Sequence, residues 1–386
     1  MIFRILAVRS HKKIVFCDSL NEKYEKIQLA IPKDLFTSFH LKVGSVISAK
    51  YEITKNKYDN DLYYINEIKN VNNHDKNLSY KSINSIPNSM LQSSFINAVN
   101  GGINLKYWEM KQKLLEEIRK FLIQKCYIEV NTSLLMNNRG TSIVNPMKVD
   151  SKYSGNKYLK ITHEIELKKQ CYLTLKSLFE IGYVARDVYS TTKSANEYLT
   201  MELVAPIEDD LSADELYLYV YETAIKLARE YGITYNELFK TIEKKDVLEL
   251  YFKDHKEFVK EEFQYFYKRL LEEEKNILFL NAPVDSPLAK NSDYGIPLET
   301  KWAIGKRGIG HGYIDQDDIT IISELFKEQQ KQLKEKEIDA ELDKDYLTTL
   351  LYAGISTKSL NIGIDRFMYK FLGLEHEDKA IKILGI

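Results

Sequence analysis

The chain has 386 residues, enough for one large and one small domain, since single hydrophobic cores seldom grow beyond about 250 to 300 residues. Its 55 Lys+Arg against 56 Asp+Glu leave a net charge of -1, so no global field draws it onto nucleic acid or an anionic membrane, and any RNA contact has to come from a local patch. Cys17, Cys126 and Cys171 lie far apart without CxxC spacing, "MIFRILAVRSHKK" is no signal peptide and no apolar run reaches about 18 residues, which argues against a disulfide framework, a zinc site or a membrane span and for a cytoplasmic protein.

Residues 1–72 alternate apolar and polar in the runs "FRILAVRS", "KKIVFCD", "KIQLAI", "SVISAKYEI" and "LYYINEIKNV", a pattern that predicts five strands and a small barrel domain. Residues 73–104 are rich in Asn and Ser with few periodic apolar positions, and read as a linker. The second domain spans 105–386. "YWEMKQKLLEEIRKFLIQK" sets Leu114, Leu115, Ile118, Phe121 and Leu122 at helical spacing, and "CYIEVNTSLL" reads as a strand after it. "YLKITHEIEL", "SLFEIGYVAR", "EYLTMELVAP" and "SLNIGI" read as strands, "ADELYLYVYETAIKLAREYG" and "DDITIISELFKEQQKQLKEKEID" as helices. Strands interspersed with helices without a βαβ repeat predict an α+β fold on a mainly antiparallel sheet. No glycine-rich phosphate loop is present, so a nucleotide has to be held in another way.

One stretch concentrates chemistry. In "ARDVYSTTKSANEYLTMELV" the strand alternation puts Tyr198, Thr200, Glu202 and Val204 on one face and Leu199, Met201 and Leu203 on the other, with Arg186 at the mouth of the loop Asp187 to Asn196. Near the C-terminus "NIGIDRFMYKFLG" passes from strand to helix, with Arg366 in the first helical turn. A guanidinium beside a helix N-terminus favours phosphate. Two arginines, an aromatic face and carboxylates together suit a nucleotide and an amino acid, although each alone also reads as ordinary surface or core. His163-Glu164 begins HExxH, but Leu167 stands where the second His is needed, which rules out that zinc motif.

The order of these motifs carries a resemblance. The helix with "CYIEVNTSLL", the hairpin "FEIGYVARDV…NEYLTMEL" and the terminal "NIGIDR" resemble the three signature motifs of class II aminoacyl-tRNA synthetases, most closely the lysyl branch, and "YLKITHEIELKK", "NAPVDSPLAK" and "IGHGYIDQDD" extend the likeness over nearly the whole chain. The resemblance implies an OB-fold barrel of the anticodon-binding type before a class II catalytic domain, an antiparallel sheet flanked by helices, in a homodimer. It implies ATP, Mg2+, an amino acid and tRNA as ligands. Carried onto this chain, Arg186 holds the α-phosphate and the attacking carboxylate, Arg366 the γ-phosphate, and Tyr198 stacks on adenine. Ser194 replaces a loop His at the ATP, Asp315 matches a magnesium-binding Glu, and Glu164 and Glu202 lie near the substrate's α-amino group, with Gly140 also at the substrate. On the barrel, Phe16 is the candidate stacking ring for RNA, flanked by Arg9 and Gln28, and Phe16 also reads as barrel core.

The departures are as informative. Gly308 stands where the family has a second magnesium-binding Glu, and Val188, Ser133 and Asn361 replace a Glu, a Pro and a Gly of the three motifs. Val204 and Leu351 replace the Tyr and Glu that bind a lysine ammonium, so a buried ammonium would lack compensation for its desolvation. The expectation is therefore ATP-dependent activation of an amino acid other than lysine, with tRNA or another acceptor. The alternatives are a catalytically decayed RNA-binding or regulatory protein and a divergent lysyl-tRNA synthetase.

Overall fold

The computed structural model describes residues 1–23, 25–73, 105–137, 145–153, 155–188, 195–335 and 343–374, which leaves nearly all of the expected linker outside the described residues. The chain divides into two compact units, Met1–Trp108 and Glu109–Ile386.

In the first unit β1 (Ile2–Ser10), β2 (Ile14–Asn21), β3 (Lys26–Pro32), a short α1 (Lys33–Ser38), β4 (Val46–Lys55) and β5 (Asp61–Asn72) follow in order. The strands close into a barrel in the order β1-β2-β3-β5-β4, antiparallel except for the β3–β5 pair. The period-two pattern is the cause. Phe3 and Ile5, Val15 and Cys17, Leu29 and Ile31, Ile47 and Ala49 all turn inward and pack one core. Asn56 closes the β4–β5 hairpin, its side-chain oxygen accepting from the Tyr58 and Asn60 amides.

Helix α2 (Leu105–Gln124) begins in the last residues of the first unit, and the second unit goes on with β6 (Ile128–Glu129), β7 (Leu135–Met136), β8 (Lys148–Ser151), β9 (Gly155–Leu159), α3 (Glu164–Thr174), β10 (Leu178–Ala185), β11 (Glu197–Pro206) and α4 (Ala213–Glu230). These are followed by β12 (Glu243–Asp246), α5 (Val247–Asp254), α6 (Lys260–Leu270), β13 (Asn276–Pro283), β14 (Leu298–Ile304), β15 (Arg307–Ile314), α7 (Ile319–Glu335), α8 (Lys344–Leu351), β16 (Thr357–Gly363) and α9 (Ile364–Phe371). Eight strands form one sheet in the order β12-β13-β14-β15-β16-β11-β10-β6, antiparallel except at its two edges, and β7, β9 and β8 form a small second sheet. The result is a mixed α/β architecture on an antiparallel-rich sheet.

Two helices cover opposite faces near its centre. Behind β15 lies α4, capped by Ser212, whose hydroxyl accepts from the Glu215 amide. It sits so close that a Cβ at Gly310 would come within 2.9 Å of the Tyr217 ring, and one at Gly312 within 2.7 Å of Ala213 Cβ. In front lies α3, packing Leu167 and Cys171 onto Leu178 of β10 and Val204 of β11. Here the structure corrects the sequence reading. "YLKITHEIEL" is not one strand: β9 ends at Leu159 and α3 begins at Glu164, with Glu164 and Glu166 favouring its N-terminal turn. The expected strand in "CYIEVNTSLL" is likewise reduced to the two short pieces β6 and β7.

Candidate active site

Register places the signature residues at one end of the sheet. Thr200 of β11 faces Gly182 of β10 on one side and Gly363 of β16 on the other, so β10 and β16 both end where β11 begins. Arg186 follows β10 directly, its amide donating to the Asn196 carbonyl at 2.7 Å across the loop mouth. Its guanidinium carbon lies 5.2 Å from the centre of the Tyr198 ring. Arg186 Nε is buried and has no hydrogen-bond partner among the described residues. A buried N–H of this kind calls for an acceptor. Arg366, in the first turn of α9, donates from Nη1 to the Gly308 carbonyl at 3.3 Å.

The carboxylates are held rather than loose. Glu202 Oε2 accepts from Thr162 Oγ1 at 2.7 Å and from the His163 amide at 2.8 Å, which aims the carboxylate along the sheet face. Glu164 Oε1 accepts from Tyr313 Oη at 2.8 Å and from Lys168 Nζ at 2.6 Å, one helical turn on. Lys168 is fully buried, as is Asp315, and Nζ lies 3.1 Å from Asp315 Oδ1. Asp315 Oδ2 accepts from Thr357 and Ser359 at 2.6 and 2.9 Å. Burial opposes the Lys168 ammonium, but Asp315 and Glu164 more than offset it and hold its pKa well above the ordinary lysine value. Burial pushes Asp315 up, and Lys168 pulls it back.

That arrangement bears on magnesium. The Asp315 carboxylate is enclosed and already neutralised by an internal ammonium, and among the described residues no three His, Cys, Asp or Glu side chains are grouped to hold a metal ion. Asp315, for which the sequence reading expected a magnesium role, is here the counter-ion of Lys168.

The substrate-pocket expectation changes too. Val204 has the parity expected of it but is completely buried beneath α3, a core residue in contact with Leu167 and Cys171. Leu351 ends α8 and is 58% exposed. The two do not form a closed apolar pocket. Thr200 and Glu202 are also buried, so the polar face of β11 is open only towards Tyr198. Gly140 and Ser194 lie outside the described residues.

In the barrel unit, Phe16 is half-buried and absent from the core, its ring meeting His11 edge-on at 5.4 Å. Arg9 pairs opposite Phe16, and Gln28 opposite Asp18, so the three candidates share the outer face of β1-β2-β3. Arg9 also meets Asp18 at 2.5 Å.

Sequence reasoning missed three groups. Lys168 was signalled by its i,i+4 spacing from Glu164. The buried Lys160–Glu180 pair, 2.6 Å apart, carried no local signal because its members lie on different elements. Although burial raises it, hydrogen bonds from His163, Lys160 and Thr132 hold the Glu180 carboxyl down at about 2. Glu299, with His311 and Lys301 at 2.7 and 3.3 Å, is the third.

Comparison with known proteins agrees with this geometry. Residues 88–382 match the family model of the tRNA synthetases class II (D, K and N). A lysine–tRNA ligase 2 of Methanosarcina acetivorans is 24% identical, the alignment covering 98% of this chain and 83% of that protein. The lysine–tRNA ligase of Saccharolobus solfataricus is 26% identical over 95% of this chain and 82% of its own length. That of Thermosipho melanesiensis is 23% identical over 95% and 81%. With the signature arginines at one end of an antiparallel-rich sheet and most of its length matched, the chain belongs to the class II tRNA synthetases (D, K and N), as a divergent, lysyl-like member.

Proposed function

We propose that this protein uses ATP to activate an amino acid other than lysine as its adenylate and transfers it to an acceptor, tRNA being the one the family points to. The observation that carries the reading is Arg186: a guanidinium over an aromatic ring, with a buried Nε that lacks a partner among the described residues, at the sheet end from which Arg366 also emerges. Arg186 binds the α-phosphate and the attacking carboxylate oxygen, bringing like charges together and stabilising the charge that builds as the oxygen attacks phosphorus. Tyr198 supports adenine, and Arg366 binds the far phosphates of a bent triphosphate, which leave as pyrophosphate. Glu202, fixed by Thr162 and His163, receives the substrate's α-ammonium.

The choice against lysine rests on occupancy. Glu164 and Asp315 are both already engaged by the chain's own Lys168, and Val204 and Leu351 carry no charge. A second ammonium would be desolvated without a carboxylate of its own. Lysine remains the second reading, favoured by the names of the relatives. The barrel is proposed to be of OB type and to receive RNA on its outer face at Phe16, with Arg9 and Gln28 beside it. The catalytic unit is proposed to act as a homodimer.

Pyrophosphate exchange into ATP, run with each common amino acid, tests the reading. One strong responder other than lysine, lost in Arg186→Ala, is the expected result. A lysine response establishes the second reading, and exchange with none refutes adenylation.

A further inference from the structure

Strand β11 outruns its neighbour. Thr200 is opposite Gly363, the last residue of β16, and Met201 is opposite Ile362, so Leu199, two residues before Met201, would find its next ladder partner at position 364. There the chain has already turned into α9. The Leu199 amide donates instead to Asp365 Oδ2 at 2.7 Å, a side chain standing in for the missing strand. Leu199 is buried, so its N–H needs that acceptor in the interior.

The other carboxylate oxygen is held from a third element. Lys111, on α2, donates from Nζ to Asp365 Oδ1 at 2.9 Å, across 254 residues of sequence. Both side chains are enclosed, that of Lys111 9% and that of Asp365 3% exposed, so solvent screens the contact little. Asp365 also lies in the first turn of α9, where the helix dipole favours a negative charge. The carboxylate is therefore fixed by a helix terminus, a strand amide and a buried ammonium together. Its sequence neighbours give this a use. Tyr198 precedes the tethered Leu199, Arg366 follows Asp365, and the Arg186 guanidinium carbon lies 5.2 Å from the centre of the Tyr198 ring.

We propose that Asp365 and Lys111 are positioning residues for the nucleotide: together they set the spacing between the strand that carries Tyr198 and the helix that carries Arg366. The proposal rests on the reading of Tyr198 and Arg366 as ATP contacts and adds the groups that hold the two at a fixed separation. Both are enclosed and act through their neighbours. The β11–β16 pairing stops at Thr200 and Gly363, so the carboxylate is what ties the start of β11 to α9. A ligand that bridges Tyr198 and Arg366 is sensitive to the gap between them, and a misplacement of about 1 Å is enough to weaken it markedly. Glu202 lies further along β11, where it is paired with Asn361 of β16, and is outside the tether's reach. Loss of the tether therefore touches the nucleotide and spares the amino acid.

Calorimetric titration of the full chain with ATP and magnesium, alongside thermal melts without ligand, tests this. Lys111→Met leaves the Asp365 carboxylate without its cation and is expected to lower both the midpoint and the affinity for ATP, the latter about tenfold. Lys111→Met with Asp365→Ala removes the unpaired charge as well, so the midpoint should recover most of its loss while ATP affinity stays about tenfold down, the tether to Leu199 still being absent. In pyrophosphate exchange both variants should raise the KM for ATP and leave that for the amino acid unchanged. ATP affinity that recovers along with the midpoint in the double variant, variants that bind ATP as well as the unaltered protein does, or an unaltered protein that binds no ATP overturns the proposal. ATP binding with the expected sensitivities but no exchange with any amino acid leaves the tether standing and sinks adenylation; exchange whose ATP dependence ignores both variants sinks the tether alone.

Discussion

Lys168→Met strikes a fully buried charge in the second unit. In the native protein the ammonium lies 2.6 Å from Glu164 and 3.1 Å from Asp315, both Lys168 and Asp315 being fully buried. Removing it leaves the Asp315 carboxylate enclosed with, among the described residues, the Thr357 and Ser359 hydroxyls for compensation. Breaking a buried pair from one side costs about 3–5 kcal/mol. At roughly 2 °C per kcal/mol for a unit of this size, the midpoint should fall by about 6–10 °C at pH 7. The pH dependence has a definite sign. Burial already holds Asp315 above its ordinary value of 3.8, and loss of Lys168 raises it further. A carboxyl raised in the folded state stabilises fully below the unfolded value, and that contribution is lost as pH rises through the folded one. The variant's deficit should therefore shrink as pH falls towards 3.8 and be largest where the unfolded carboxyl is ionised. Lys168→Met with Asp315→Asn leaves no enclosed charge at position 315 and should recover at least half of the loss. Thermal melts followed by the fluorescence of the buried Trp302 supply the numbers. A single variant within about 1 kcal/mol of the unaltered protein at pH 7, or a double variant no better than the single, would refute the argument.

The Glu180 carboxyl, held at about 2 against an ordinary 4.5, stabilises the fold above pH 4.5 and loses that contribution as pH falls towards 2, so Glu180→Gln should cost about 3 kcal/mol near neutrality and flatten the acid limb between those values in urea titrations. Thiol labelling of the native protein with Ellman's reagent should report one rapid equivalent, from the exposed Cys126, because Cys17 and Cys171 are enclosed with thiols pushed up to about 12 by burial; all three should react in denaturant.

The barrel strands were legible because their one-sided burial writes a period of two into the sequence, as Val15 and Cys17 against Phe16 show. Helix α4 was equally plain, since its buried positions Leu216, Val220 and Ala224 are apolar. Helix α3 was not. Its buried face includes Lys168, so a charge breaks the helical period just where an apolar residue would have completed it, and the surviving Leu159, Ile161, Ile165 and Leu167 mimic a strand. The same helix explains why parity placed Val204 on the correct face yet misjudged its exposure: alternation tells which side a side chain takes, not what lies over it. Arg186, Tyr198 and Arg366 were legible from motif order, and their arrangement follows from strand register. The grouping of His311, Lys301 and Glu299 depends on an irregular pairing between β14 and β15, for which the sequence carries no local signal.

The closeness of α4 to β15 also says where this protein can change. At Gly310 and Gly312 only a hydrogen atom fits between strand and helix. A directed-evolution library spread evenly along the strand would spend half its diversity on letters the back of the sheet has already dictated. Altered specificity should instead be reachable through His311 and Tyr313, whose neighbours lie on the opposite side and whose replacement leaves the helix seated.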